Sequence, residues 1–254
     1  MFFDTHAHLH YADFEQDREA MIQRAESAGV KFFLNVGTDL ASSQASLALA
    51  EAHSNIWAAA GIHPHDAVKA TDADFAAIEN LMKHPRMAAV GEVGLDFYRD
   101  HSPVTVQRDV FRRFVEMALR VDKPLVIHCR DAYEALMDLL RDIQPSGYQG
   151  VIHCFSSDKQ VMEALLDLGF YISFAGPLSY KKNDVLREAC AACPQERLLI
   201  ETDAPFLPPQ SLRGKRNESA YMLETAAVMA GLQGLSLEAL AELTTANARR
   251  LLRL

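Results

Sequence analysis

Residues 124–141 read PLVIHCRDAYEALMDLLR and contain one complete unit of the predicted fold. The run PLVIHC is short, apolar and rich in β-branched side chains, which is typical of a buried strand. The following residues, 131–141, place apolar side chains three and four positions apart, as one face of an amphipathic helix does. The stretch therefore predicts a strand that leads directly into a helix.

The same alternation recurs along a chain that has no linker, no low-complexity tract and no break in composition. The other strand candidates are FFDTH, KFFLNVG, IWAAAG, MAAVGE, GVIHCF, GFYISFAG and RLLIETD. Helical patterns cover roughly residues 14–28, 40–53, 72–83, 104–121, 158–167 and 183–191, with two more near 218–230 and 236–252. This arithmetic predicts one α/β domain over residues 1–254, a TIM (β/α)8 barrel. A doubly wound open sheet is the alternative, although no G-x-G-x-x-G turn is present.

Composition narrows the class of protein. With 49% hydrophobic and 23% charged residues among 254, the chain can bury one large core. Its apolar runs fall well short of the roughly 20 residues of a membrane-spanning helix. No signal-peptide pattern and no disulfide framework are evident, so we expect a cytoplasmic protein with no membrane contact and no obligate protein partner. We interpret the C-x-x-C pair, Cys190 and Cys193, as buried packing residues rather than a redox or zinc site.

Ionisable side chains stand at the carboxyl ends of five predicted strands. They are His6 and His8 after the first strand, Glu92 after the fourth, His128 after the fifth, His153 after the sixth and Asp203 after the eighth. Those ends form the catalytic face of a TIM barrel, so the six groups converge on one mouth. Side chains two residues apart on a strand point to the same face, so His6 and His8 can coordinate one ion together. Six imidazole and carboxylate groups suffice for two divalent ions, Mg, Mn or Zn, that share a bridging carboxylate.

Each of these residues also has a structural interpretation. His128 or His153 alone would more often be a hydrogen-bonded core histidine, and Glu92 or Asp203 alone could cap the helix that follows it. Six coincidences at strand ends favour one metal site over these separate explanations.

Three further ionisable residues lie near the predicted ligands. His10 continues the H-x-H spacing, but the chain should be turning there, so we interpret it as a surface or loop histidine. Asp4 and Glu201 share the parity of the ligands and would point into the barrel, where an unpaired charge is costly. They are either partners that orient histidines or members of a buried ion pair, and the sequence does not decide between these roles.

Six motifs, taken in order, resemble those of the TatD-type metal-dependent deoxyribonuclease family of the amidohydrolase superfamily: DTHAHLH, GIHPHD, VGEVGLDFY, KPLVIHCRDA, GVIHCFSSD and LLIETDAPFL. The match runs from Asp4 to the TTANARRLL tail. The resemblance implies a TIM barrel with two or more divalent metals that hydrolyses phosphodiesters in DNA and also in RNA. Carried over by position, it makes metal ligands of His6, His8, Glu92, His128, His153 and Asp203, with Glu92 as the bridge. Ser157 and Ser219 depart from the family's frequent Gly and Pro, which affects loop shape and substrate fit rather than metal chemistry.

The resemblance also places His63, in GIHPHD, near the scissile phosphate, whereas without the family it could equally be a loop histidine beside Pro64. Under this hypothesis a metal-activated water attacks phosphorus, Asp203 accepts its proton, and His63 steadies the phosphate or assists the leaving group.

Attraction of an anionic substrate needs a local cause, because the net charge of −9 argues against a broad basic surface. Basic runs follow the seventh strand, at Lys181 and Lys182, and the eighth, at Arg213, Lys215 and Arg216. TIM barrels frequently bind phosphate there. We therefore predict that Lys215 and Arg216 help to guide the end of a single DNA strand, the alternative being ordinary solvated loop charges.

Two other functions compete with a nuclease. Activated water also attacks carbonyl carbon, so an amidohydrolase or esterase acting on a small amide, a lactone or an aminoacyl ester uses the same residue types. Many binuclear amidohydrolases bridge their metals through a carboxylated lysine, whereas Glu92 stands here. A structural metal site or partner-binding scaffold is the second alternative, but structural zinc is usually closed by four ligands.

Overall fold

The computed structural model describes residues 1–143 and 149–254, and its central feature is one eight-stranded parallel sheet. The strands pair in chain order, each with its successor. They are β1 (Phe2–Ala7), β2 (Val30–Val36), β3 (Ile56–Ala60), β4 (Met87–Asp96), β5 (Leu125–Arg130), β6 (Gly150–Ile152), β7 (Tyr171–Phe174) and β8 (Leu198–Ile200).

The two edges of this sheet meet, which nearly closes a barrel. A parallel bridge links Ala7 to Ala204. The amide of Asp203 donates to the carbonyl of His6 at 2.9 Å, and the amide of His8 donates to the carbonyl of Ala204 at 2.7 Å. The sequential strand order and this closure confirm the predicted TIM barrel, because a doubly wound sheet keeps open edges and reverses its strand order.

Helices follow the strands as the periodicity predicts. They are α1 (Arg18–Ala28), α2 (Leu40–Ala52), α3 (Asp72–Leu81), α4 (Val104–Val121), α5 (Tyr133–Ile143), α6 (Lys159–Asp167), α7 (Asp184–Ala192), α8 (Met222–Gln233) and α9 (Leu237–Leu252). Local chemistry sets several starts: Asp39 and Ser42 form a capping box at α2, as Thr71 and Asp74 do at α3. Within the described ranges no single helix is long and apolar enough to span a membrane; only the pair 219–233 and 237–252, bent by 99°, passes that test together.

The core has two parts. A large apolar cluster includes the helices' buried side chains and Cys190 and Cys193, which are free and buried, as the sequence predicts. A smaller cluster takes residues from all eight strands, which only the interior of a barrel permits. Ala248 and Leu251 of α9 join this inner cluster, and Asn247 of α9 donates to the carbonyl of Leu198 at the start of β8. Helix α9 therefore covers the amino-terminal end of the barrel.

Strand β4 is longer than predicted. The predicted strand ends at Glu92, and that boundary is wrong, because pairing with β5 continues to Asp96, which lies opposite Arg130. A register shift between Val90 and Val93 bends the strand. Gly94, with φ 149°, allows β5 to approach, since a Cβ there would overlap the carbonyl oxygen of His128. Glu92 therefore lies inside the strand, four residues before its end.

Candidate metal centre

The predicted ligands converge at the carboxyl ends of the strands, with Glu92 in the middle. Its Oε2 atom lies 3.3 Å from His6 Nε2 and 3.6 Å from His8 Nε2. Its Oε1 atom lies 2.9 Å from His153 Nε2 and 3.0 Å from His128 Nδ1. The two oxygens of Glu92 thus face two separate histidine pairs.

Asp203 completes the first of these groups. Its Oδ1 atom lies 3.5 Å from His8 Nε2 and 3.7 Å from His6 Nε2. One donor atom from each of His6, His8 and Asp203 can be chosen so that all lie within 4.8 Å of one another. The same spacing holds for His63, Glu92 and His128, and for His6, His153 and Glu201. These overlapping groups have the composition and spacing of metal sites.

The centre lies at the base of an open cleft of about 750 Å³. His8, Glu92, His128, His153 and Asp203 all reach the cleft wall. Their surroundings are otherwise buried, since His6 is 0% and Glu92 3% exposed. A substrate can therefore reach a group of donors that is largely shielded from bulk water.

Hydrogen bonds on the far side of the rings fix how three histidines face the centre. His8 Nδ1–H donates to the carbonyl of Val36 at 2.7 Å. His153 Nδ1–H donates to a carboxylate oxygen of Glu201 at 3.1 Å, and His128 Nε2–H donates to one of Asp96 at 3.0 Å. Because these partners only accept, the neutral rings turn lone pairs toward the carboxylates in the centre. Lone pairs facing carboxylates require a cation between them, so the donor set fits a metal ion.

The pKa shifts of Glu92 and His153 also indicate that positive charge is favoured at this centre. Burial favours the neutral form of Glu92, but His153, His63 and His6 outweigh it and lower the pKa of the carboxyl well below its usual range. Burial likewise opposes the charged form of His153, yet Glu92 and Glu201 raise its pKa well above the ordinary value. Without a metal ion, the carboxylates thus favour protons on His8, His128 and His153, whose pKa values are raised, whereas burial lowers the pKa values of His6 and His63.

Glu201 and Asp4 have different roles. Glu201 Oε1 accepts from His153 and from the amide of Cys154 at 2.8 Å, so it is a partner that orients a histidine. Asp4 accepts from the Thr202 hydroxyl at 2.6 Å and the Ser219 hydroxyl at 2.7 Å, and burial raises its pKa to about 7. Among the described residues it neither orients a histidine ring nor forms an ion pair. Both alternatives for Asp4 are wrong, because a register shift between Asp4 and Ala7 interrupts the strand alternation on which they depended.

His10 lies in the loop after β1, as predicted, but it is half-buried rather than on the surface. Its Nδ1 atom lies 3.1 Å from the hydroxyl of Ser46 and 3.2 Å from Oδ1 of Asn35. Its Nε2 atom has no hydrogen-bond partner among residues 1–143 and 149–254. The ring therefore packs beside the centre, held by neutral polar groups of β2 and α2.

His63 lies at the edge of the centre and lines the cleft. Its Nε2 atom is 3.5 Å from Oε1 of Glu92, and its side chain is 14% exposed. The amide of His65 donates to His63 Nδ1 at 3.2 Å, which leaves the ring proton on Nε2. Burial lowers the pKa of His63 well below its ordinary value, so the ring is neutral near pH 7.

Asp96 and His65 belong to the site but were missed from the sequence. Asp96 Oδ2 accepts from His128 Nε2 at 3.0 Å and from His65 Nε2 at 2.9 Å. The available signal was parity, because Glu92, Gly94 and Asp96 alternate along VGEVGLD and so share one face of a strand.

The predicted basic rim lies apart from this centre. Arg216 forms an ion pair with Asp17, at 2.7 and 2.8 Å, and its guanidinium lies over the ring of Phe14. Lys215 is exposed. Neither residue is among those that line the described cleft, which include Arg99 and Arg130 instead.

The chain is similar to known proteins over nearly its whole length. A sequence profile described as TatD related DNase matches residues 3–253. The uncharacterized metal-dependent hydrolase YabD of Bacillus subtilis is 39% identical over all of both chains. The 3'-5' ssDNA/RNA exonuclease TatD of Salmonella typhimurium is 38% identical over 98% of each chain. The crystal structure of the TatD homologue YjjV from Escherichia coli has a TM-score of 0.94 and 29% identity, covering 100% of this chain and 98% of that one.

Proposed function

The chain belongs to the TatD-related DNase family of metal-dependent hydrolases, and we propose that it cleaves phosphodiester bonds of single-stranded DNA, and of RNA, from strand ends. The observation that carries the proposal is Glu92, whose two oxygens face two histidine pairs at the base of an open cleft. A relative 38% identical to this chain is named a 3'-5' ssDNA/RNA exonuclease. Phosphodiester hydrolysis is a reaction that two-metal centres of this composition serve.

We assign the centre two divalent ions, each magnesium, manganese or zinc. His6, His8 and Asp203 would hold one ion with Oε2 of Glu92. His128 and His153 would hold the other with Oε1 of Glu92. Bound in this way, the ions would lower the pKa of a water toward neutrality and offset the charge that grows on the phosphoryl oxygens.

Asp203 is the proposed proton acceptor for the attacking water. Burial favours its neutral form, but His8, His153 and His6 outweigh burial and hold the pKa of the carboxyl below its ordinary value. The group is therefore ionised at neutral pH and free to accept a proton. It reaches the cleft wall, where the phosphate would enter.

His63 is the proposed donor to the substrate. Its Nδ1 atom is occupied by the amide of His65, so the proton on Nε2 points toward the centre, 3.5 Å from Glu92. A neutral imidazole with a fixed N–H can donate to a phosphoryl oxygen and then pass the proton to the leaving oxygen.

The test is a metal-stripped preparation that is refilled separately with magnesium, manganese or zinc. Each form is given end-labelled single-stranded DNA, duplex DNA, RNA and a panel of carboxylic esters and amides. We expect no cleavage without metal and shortening of single-stranded DNA from its ends with at least one metal. Cleavage of the esters or amides with no cleavage of any phosphodiester would replace the nuclease by the amidohydrolase or esterase alternative.

A further inference from the structure

Two arginines at the cleft differ from most others in this acidic protein. Carboxylates pair with Arg24, Arg112, Arg113, Arg120, Arg141, Arg187, Arg216 and Arg253. Arg99 and Arg130 line the cleft, are exposed, and form no ion pair with any residue in the described ranges. Both guanidiniums instead lie near the ring of Tyr98, with the Arg130 Cζ 3.7 Å and the Arg99 Cζ 5.1 Å from its centroid. We call Tyr98, Arg99 and Arg130 the Tyr98 platform.

The platform is joined to the metal centre through one carboxylate. Asp96 Oδ1 accepts from the amides of Tyr98 and Arg99, each at 3.0 Å, while Oδ2 accepts from His128. Arg130 follows His128 by two residues on β5 and pairs opposite Asp96. Asp96 therefore links the backbone of Tyr98 and Arg99 to His128, a proposed metal ligand, and Arg130 lies on the same strand as that ligand.

Gln107 also holds the loop that carries Tyr98 and Arg99. The Gln107 side chain of α4 accepts from the Asp96 amide and donates to the Asp96 carbonyl, both at 2.9 Å, and donates to the Ser102 carbonyl at 2.8 Å. Gln107 and Ser102 are both buried. The backbone that carries Tyr98 and Arg99 is thus held in place before a ligand binds, which lowers the entropic cost of binding.

The opposite wall of the cleft has a different character. Phe206 and Leu207 are 48% and 38% exposed, and Tyr11 lies 6.0 Å from the Phe206 ring. Arg99 and Arg130 are the only arginines among the described residues that line the cleft, so this wall contributes apolar surface without a guanidinium. An anionic chain that leaves the centre therefore meets unpaired positive charge on the side of β4 and β5.

We propose that the Tyr98 platform binds the nucleotide next to the scissile phosphate, a role that rests on the proposed nuclease function. The N–H edges of Arg99 and Arg130 donate to the phosphate of that nucleotide, because a guanidinium stacked by its face keeps its edge available. The base packs against the exposed surface of Tyr98, which is 54% exposed. Stacking of this kind tolerates any base, so the platform selects polynucleotides over small phosphodiesters without selecting a sequence.

The kinetic test compares Arg130→Gln, Arg99→Gln and Tyr98→Leu with a matched control. The control is Arg249→Gln, because Arg249 also stacks on an aromatic ring, Phe32 at 4.6 Å, but belongs to α9 at the other end of the barrel. The substrates are a single-stranded oligonucleotide and bis(p-nitrophenyl) phosphate. We expect the KM for the oligonucleotide to rise roughly 10-fold in the Tyr98→Leu and Arg130→Gln variants. The KM for the small diester should change less than about twofold, and the control should match the parent on both substrates.

Two results would overturn the platform. An unchanged KM for the oligonucleotide would remove it from substrate binding. Equal rises in KM on both substrates would assign the arginines to the reacting phosphate itself. Failure of the proposed function is a separate observation, because then the unmodified, metal-loaded protein cleaves no oligonucleotide.

A second measurement does not need activity. Fluorescence anisotropy of a labelled oligonucleotide on the metal-free protein gives its affinity at several salt concentrations. Loss of one phosphate contact should reduce the slope of log K against log salt by about 0.7 for a single strand. Arg130→Gln should show this reduction and Arg249→Gln should not, and equal slopes in the two variants would contradict the platform.

The same assay tests the predicted basic rim. If Lys215 and Arg216 guide the strand, Lys215→Glu and Arg216→Glu raise the KM for the oligonucleotide much more than that for the small diester. Equal effects on both substrates would remove the rim from substrate guidance and leave the platform result unaffected.

Discussion

The two ends of the barrel interior are built by the same strands and hold opposite chemistry. Toward the amino-terminal end, side chains such as Phe3 and Tyr171 pack with α9 in an apolar cluster to which all eight strands contribute. On β5, His128 follows the inner-cluster residue Val126 by two positions, and His153, directly after β6, follows Val151 in the same way. One step of the strand repeat thus separates side chains that stabilise the fold from those that face the cleft.

The backbone conformation also differs between the two ends of the barrel. Six described residues other than glycine have positive φ, and Asp122 and Arg253 among them simply end helices α4 and α9. The remaining four all line the cleft: Asp131, Cys154, Asp203 and Leu207. Left-handed backbone at such residues costs about 1–3 kcal/mol each. Apolar packing at the amino-terminal end of the barrel must therefore offset the free energy that this backbone strain at the cleft costs.

The largest expected effect is at the mouth, from Asp203→Asn. Loss of the proposed proton acceptor should lower kcat on single-stranded DNA by about 10²- to 10⁴-fold. The melting temperature of the metal-free protein should fall much less than after a core truncation, because the Asp203 side chain lines the cleft rather than the apolar core. Steady-state kinetics and thermal unfolding measure the two quantities. A loss of activity under tenfold would contradict the role of Asp203, and a collapse in stability would contradict the contrast between the ends.

The converse change is Phe3→Ala at the packed end. Phe3 is 1% exposed and stacks on Trp57 with centroids 5.7 Å apart. Its truncation should lower the free energy of unfolding by about 3–5 kcal/mol, measured by denaturant titration. The KM for DNA should stay at the parent value at temperatures where the variant is folded. A loss below about 1 kcal/mol, or a changed KM, would show that the two ends are not separable.

A smaller effect is expected from Glu201→Gln, which alters the partner of a ligand rather than a ligand. Without a carboxylate on Nδ1, His153 becomes a less basic and less well oriented donor, so metal affinity should fall by about 10- to 100-fold. Competition with a fluorescent chelator measures this affinity. Glu196→Gln, a change at an exposed glutamate just before β8, is the matched control. Equal affinities in the two variants would remove Glu201 from the centre.

The sequence predicted most of this arrangement because it depends on local periods. The strand and helix repeats place each element, and the position of a residue at a strand end places His6, His8, His128, His153 and Asp203 at the mouth. Departures from regular pairing could not be predicted, since they depend on contacts between strands. The bend in β4 carries the strand on to Asp96, and the shift in β1 directs Asp4 to Thr202. The ion pair that holds Arg216 joins residues 199 positions apart in the chain.

The contact between the first and last strands, which closes the barrel, also determines when the predicted ligands can come together during synthesis. It joins the first strand to the last, through the hydrogen bond of Asp203 with His6 and those of Asp4 with Thr202. During synthesis on the ribosome, His6 and His8 emerge early, and they wait for nearly 200 further residues before Asp203 can meet them. A nascent or truncated chain therefore carries the histidine pair without the carboxylate that completes it. If Asp203 acts as proposed, we expect hydrolytic activity only after translation has passed β8, and fragments that end before Asp203 should not cleave nucleic acid.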